Sequence, residues 1–173
     1  MSSRSTQVLV ALGVLVVAAF VVAVGVAALD DGRKTATEAE YEATISSTRE
    51  RIDFALVRIT RSQSHEELIE RIDDASTAVG AARDDLDDAG VAEGYDALHD
   101  RLVDTLGAFS EELEGTAAQF EDPTFAPNLQ GINSLGFLEW ENVNKILAEM
   151  KEKGLDVALL ERHLGQETPP DPG

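Results

Sequence analysis

Between Leu68 and Leu86 the apolar residues fall at Leu68, Ile72, Ala75, Val79, Ala82 and Leu86, in steps of four, three, four, three and four. That alternation is the spacing of a packed helical seam, and it leaves the other faces to Glu67–Arg71 and a series of Asp. Two neighbouring segments repeat it. Tyr41, Ile45, Ile52, Leu56 and Ile59 form one seam, with Thr48 in the missing position. Val91, Tyr95, Leu98, Leu102, Leu106, Phe109, Leu113 and Phe120 form the other. Leu129, Ile132, Val143, Ile146, Leu147 and Met150 supply a fourth. No run alternates as a strand would. Four amphipathic helices with short connections close into an antiparallel bundle, so the fold class is all-α. Seams this regular also permit pairing between chains as a coiled coil, so oligomerisation is open.

Punctuation between the seams agrees. Thr35 or Thr37 can cap the first helix. Ser64-His65-Glu66-Glu67 reads as a capping box, which makes Arg61–Ser64 a turn. Ala89-Gly90 ends the second helix, with Gly90 as a left-handed cap, and Gly154 ends the fourth with Leu155 as its hydrophobic partner. Glu141–Lys145 and Glu149–Lys153 are expected i,i+4 ion pairs. Asp156–Leu164 is expected to add one short helix, and Glu167–Gly173, with three prolines, to form a disordered tail.

The N-terminus is of a different kind. Ser5 to Leu29 contains no charged residue, and Val8–Leu29 departs from apolar side chains only at Gly13 and Gly25. As a helix these residues would reach ~33 Å, enough for a ~30 Å hydrocarbon layer. A buried core helix of that length without a polar stripe would need a larger protein around it. Val26-Ala27-Ala28 offers a cleavage site near Ala28, but a signal-peptide apolar region is usually ~7–15 residues. The expected organisation is therefore a tail over 1–6, a single transmembrane anchor over 7–29, a juxtamembrane linker over 30–36, an acidic helical bundle over 37–164 and a tail over 165–173. Arg4 precedes the span and Arg33 and Lys34 follow it, so charge counting barely sets the orientation. The very short N-terminus favours a bundle outside the cytoplasm of a prokaryotic cell.

Charge narrows the partners. The chain carries −19; residues 1–34 hold a net +1 (Arg4, Arg33 and Lys34 against Asp30 and Asp31), leaving −20 on the rest. Such a field repels phosphate backbones, so no nucleic-acid partner is expected. Only four Lys against abundant Asp suits a salt-adapted or high-GC source. With no cysteine there is no disulfide, thiolate metal site or thiol nucleophile.

Motifs for chemistry are weak. Asp85–Asp96, DLDDAGVAEGYD, has Asp at positions one and three and Gly at six of an EF-hand loop, but Ala89 and Ala92 break the pattern and Asp96 is short for the last ligand. Leu86 and Val91 continue the flanking seams, so a tight helix–helix turn explains the stretch without calcium. Asp96-x-x-His99 resembles half a carboxylate-bridged metal site but lacks a second copy. His99, His65 and His163 are read as surface polar residues. No phosphate loop or nucleophile elbow occurs. No catalytic residue, metal or cofactor is expected.

Residues 123–138 carry no charge, although 27% of the whole chain is charged. With Trp140, the only Trp, this stretch joins aromatic residues to uncharged polar ones, the composition of an interface core. Phe125, Leu129, Phe137 and Trp140 are the candidate partner-binding residues; alternatively they fill the end of the bundle. The functional expectation is a non-enzymatic protein-interaction or envelope scaffold module with an unidentified protein partner. The alternative is a small-ligand-sensing bundle coupled to a partner membrane protein.

Overall fold

The computed structural model describes residues 34–122 and 136–161. The anchor expected over 7–29, the candidate residues Phe125 and Leu129, His163 and the tail lie outside them. No described helix is long and apolar enough to cross a membrane.

Among the described residues four helices carry the fold: α1 Glu38–Ile59, α2 His65–Asp87, α3 Asp96–Glu121 and α4 Leu138–Lys153. Contacts between neighbours run in opposite directions along the chain. Arg51 meets Asp85 and Arg58 meets Asp74 across α1 and α2. His65 meets Phe120 and Ser76 meets Ser110 across α2 and α3. Glu112 meets Leu138 and Arg101 meets Glu149 across α3 and α4. Each successive pair is therefore antiparallel, as the seams require.

Within the described residues those seams become the core, with Leu98 only partly buried; Leu129 and Ile132 of the fourth seam lie outside the described residues. Tyr41, Ile45, Thr48, Ile52, Leu56 and Ile59 of α1 are buried, the polar Thr48 included. All six seam residues of α2 are inaccessible. Each large apolar side chain so buried contributes about 1.5–3 kcal/mol. At the centre of the α2–α3 contact, Ser76 Oγ donates to Ser110 O and Ser110 Oγ donates to Ser76 O, both at 2.9 Å. These reciprocal bonds fix the register of the tightest helix pair.

The caps of α1 and α4 follow sequence, and that of α2 follows it with one adjustment. Thr37 and Glu40 form a reciprocal capping box on α1. The Thr37 backbone N–H, and then its hydroxyl, hold the Glu40 carboxyl below its usual range. On α2 the Ser64 hydroxyl accepts from the Glu67 N–H at 3.1 Å, but Glu67 reaches back to the N–H of Gln63, not Ser64. Gly154 ends α4 at φ +123°, with its N–H on Lys151 O and the Leu155 N–H on Met150 O, both at 3.1 Å. That is a Schellman motif, with Met150 and Leu155 buried together.

Several expectations are corrected. Gly90 does not take a left-handed conformation; Gly94 does, at φ +82°. Val91–Ala92 is not the first turn of the third helix but a two-residue strand, β2, pairing in parallel with β1, Thr35–Ala36. Position 90 is a close approach: a Cβ there would sit 3.1 Å from the Ala36 Cβ and 3.2 Å from Lys34 O, so a larger residue needs β1 to give by a few tenths of an ångström. The expected pairs of α4 are also exchanged. Lys145 donates to Asn142, Glu149 takes Arg101 of α3 at 2.6 and 2.9 Å, and Lys153 turns to Gly94 O and the Tyr95 ring. The Arg101 hydrogen bonds hold Glu149 below the usual carboxylate range. Finally, residues 155–161 are not helical. They follow an irregular path, with the Val157 N–H on Leu155 O at 3.0 Å, and bury Leu155, Val157 and Leu160.

Candidate interaction surface

The charge-free stretch ends at α4, and the start of that helix is built from outside itself. Its N-cap, Phe137, is extended (φ −105°, ψ 123°) and offers no side-chain acceptor to the free N–H groups of the first turn. Glu112 of α3 supplies it instead. One carboxylate oxygen accepts from the Leu138 N–H at 2.8 Å and the other from the Glu139 N–H at 3.0 Å. A carboxylate at a helix N-terminus also meets the positive end of the macrodipole.

Phe137 anchors the same corner. It is buried, its ring 5.9 Å from that of Phe109 at a tilt of 57°. With the backbone pinned by Glu112 and the preceding side chain inserted in the core, Leu138 is directed outward and is 62% exposed. Trp140 packs partly buried against the core. Glu139 accepts from the Asn142 amide at 3.0 Å, and Lys145 donates to the same Asn142 at 3.2 Å, giving the apolar pair a polar border.

Of the four sequence-based candidates, Phe125 and Leu129 lie outside the described residues, Phe137 belongs to the core and Trp140 straddles core and surface. Leu138 and Glu112 were missed. Leu138 had a signal: it falls off the seam running through Val143, Leu147 and Met150. Glu112 had none, because its role depends on where a distant segment returns.

Other polar constellations resolve into structural contacts. His99 is not a surface residue but wholly buried, its Nδ1 hydrogen-bonded to the Tyr41 hydroxyl at 3.2 Å. Tyr41 lies 5.9 Å from the Tyr95 ring, and Lys153 sits 4.8 Å over Tyr95. Burial, then the charges of Glu38 and Glu42, push the Tyr95 hydroxyl above the usual tyrosine value. In the EF-hand-like stretch, Asp85 and Asp87 lie on the last turn of α2, and the Asp85 carboxylate takes Arg51 at 2.5 Å. Among the described residues no group of three or more acidic or His side chains is placed to hold a metal. The crevice lined by Ile45, Ile52, Leu106, Val143, Leu147 and Leu160 has about 10 Å³ of free volume, room for one water at most.

No protein-family model, curated protein or solved structure matches this chain.

Proposed function

We propose that this chain is a membrane-anchored, non-enzymatic protein-interaction module. Residues 7–29 hold it in the bilayer, the acidic bundle stands outside the cytoplasm, and a protein partner docks at the start of α4. The observation that carries this reading is Leu138: a large apolar side chain held in water by two fixed restraints, the Glu112 cap and the buried Phe137. Half-buried Trp140 lies two residues on, and the charge-free residues 123–137 precede it. Apolar and aromatic groups on a rigid element within a polar border are the anchor of a protein interface. In the ligand-sensing alternative the crevice between α1, α3 and α4 would not be the ligand site, since it accepts at most one water.

The test is site-specific photo-crosslinking of the full-length chain in membranes of its source cells. A photoreactive residue at Leu138 is expected to give a discrete protein adduct that the same residue at exposed Asp100 does not. Equal labelling at both positions, or none at Leu138, would overturn the reading.

A further inference from the structure

Ser47, Glu50, Phe54, Val57 and Arg61 recur in steps of three, four, three and four along α1 and the turn that leaves it. With about 3.6 residues per turn they share an arc of roughly 80°, opposite the buried seam of Tyr41, Ile45, Thr48, Ile52, Leu56 and Ile59. They make a second seam, on the face that α1 turns away from the core. Its centre is apolar: Phe54 is 67% exposed, more than Leu138, and half-buried Val57 lies one turn on. Its ends are exposed and of opposite charge. Among the described residues neither Glu50 nor Arg61 has an ion-pair partner. Arg49, Arg51 and Arg58 of the same helix are engaged, with Asp53, Asp85 and Asp74.

This seam is complementary to itself read backwards. In an antiparallel pair about a twofold axis between Phe54 and Val57, Phe54 of one copy meets Val57 of the other and Glu50 meets Arg61. The axis repeats each contact, so four residues give two aromatic–aliphatic contacts and two ion pairs. A parallel pair would set Glu50 against Glu50 and Arg61 against Arg61, and like charges facing each other select against it. The local charge also suits a second acidic chain. Residues 46–61 hold Arg49, Arg51, Arg58 and Arg61 against Glu50 and Asp53, a net +2 in a chain that carries −19. Two copies that repel elsewhere meet no such barrier on this face.

We propose that the outer face of α1 is a self-association surface whose occupant is the same face of a second copy, antiparallel, in the register that joins Phe54 to Val57 and Glu50 to Arg61. It lies on a different helix from the interface proposed at the start of α4 and does not depend on it. Only two apolar side chains from each copy enter the contact, which places it among the weak, reversible interfaces.

The chain has no cysteine, so a single introduced one is its sole thiol. Differently tagged full-length chains carrying Glu50→Cys and Arg61→Cys are mixed in mild detergent and treated with a short bismaleimide. In the proposed register these two positions are adjacent, and the other ion pair survives. Two copies of the same variant hold their thiols about 16 Å apart along the helix, eleven residues at ~1.5 Å each. The expected product is a heterodimer at least tenfold more abundant than either homodimer, and lost when both chains also carry Phe54→Asp, whose thermal melt should stay that of the parent. Homodimers as abundant as the heterodimer, a heterodimer that survives Phe54→Asp, or no cross-link at all would overturn the proposal. Charge reversal tests the register without cysteines. In sedimentation of the full-length chain in density-matched detergent, Glu50→Arg should weaken self-association about fivefold, although it lowers the overall repulsion between copies. Adding Arg61→Glu exchanges the signs of both ion pairs and should restore the wild-type affinity. A monomeric wild type, unchanged or tighter association of Glu50→Arg, or no recovery in the double variant would overturn the proposal.

Discussion

Removing the Glu112 carboxylate isolates the device that sets the candidate surface. Glu112→Ala deletes both acceptors from the first turn of α4, leaving the Leu138 and Glu139 N–H groups to water. A lost N-terminal cap costs about 0.5–2 kcal/mol. The two bonds here run to an ionised acceptor, which strengthens them, but one of them is exposed, which lets water replace it. The expected loss is therefore about 1–1.5 kcal/mol, read from the denaturant midpoint of the full-length chain at unchanged slope. Glu112→Gln keeps one good acceptor oxygen and should lose about half as much. Hydrogen exchange locates the effect: the Leu138 and Glu139 amides should lose protection while the amides of α2, which Glu112 does not touch, change only as global stability does. If Glu112→Ala unfolds at the wild-type midpoint with the Leu138 amide equally protected, the carboxylate does not hold this helix start, and the reason for Leu138 pointing outward is lost.

Phe137→Ala should destabilise by about 3–4 kcal/mol because it empties a core site against Phe109, whereas Trp140→Ala, only partly buried, should cost markedly less in the same chemical melt. Gly154→Ala places a Cβ at φ +123° and should cost about 1–3 kcal/mol, measured the same way. Tyr95 holds its proton more tightly folded than unfolded, so the stability from that difference is fully present below the ordinary tyrosine value and is lost as pH rises through the higher folded value. The denaturant midpoint should therefore fall from about pH 10 upward; in Tyr95→Phe that fall should be smaller, and an identical profile would show that Tyr95 is not its source.

What could be read in the sequence was local and periodic. The α1 and α2 seams entered the core residue for residue, including Thr48, because a 3.6-residue period fixes which face is buried whatever it packs against. The Gly154 motif was equally legible, since its parts are contiguous. What escaped notice depends on distant residues meeting. His99 shares the α3 face with Leu102 and Leu106, and its burial is supported by the Tyr41 hydroxyl reaching it from α1, a contact that no local pattern announces. The pairing of Thr35–Ala36 with Val91–Ala92 is too short to leave a pattern. The short helix expected over Asp156–Leu164 is absent from residues 156–161, whose main-chain groups are taken up by Glu42, Arg49, Asp53 and Asn144 of other segments. At the start of α4, composition marked Phe137 and Trp140 alike, and only packing separates them, burying the first and leaving the second partly exposed.

The most direct measurement of the interaction reading is the size of the assembly extracted from source membranes in mild detergent, compared between the wild type and Leu138→Asp. Leu138 is 62% exposed, so the substitution should leave the thermal melt of the purified chain within about 1–2 °C of the wild type. The extracted assembly should nevertheless shrink to the mass of the chain without its partner. An assembly of unchanged mass from a normally folded Leu138→Asp chain would contradict a partner at the start of α4.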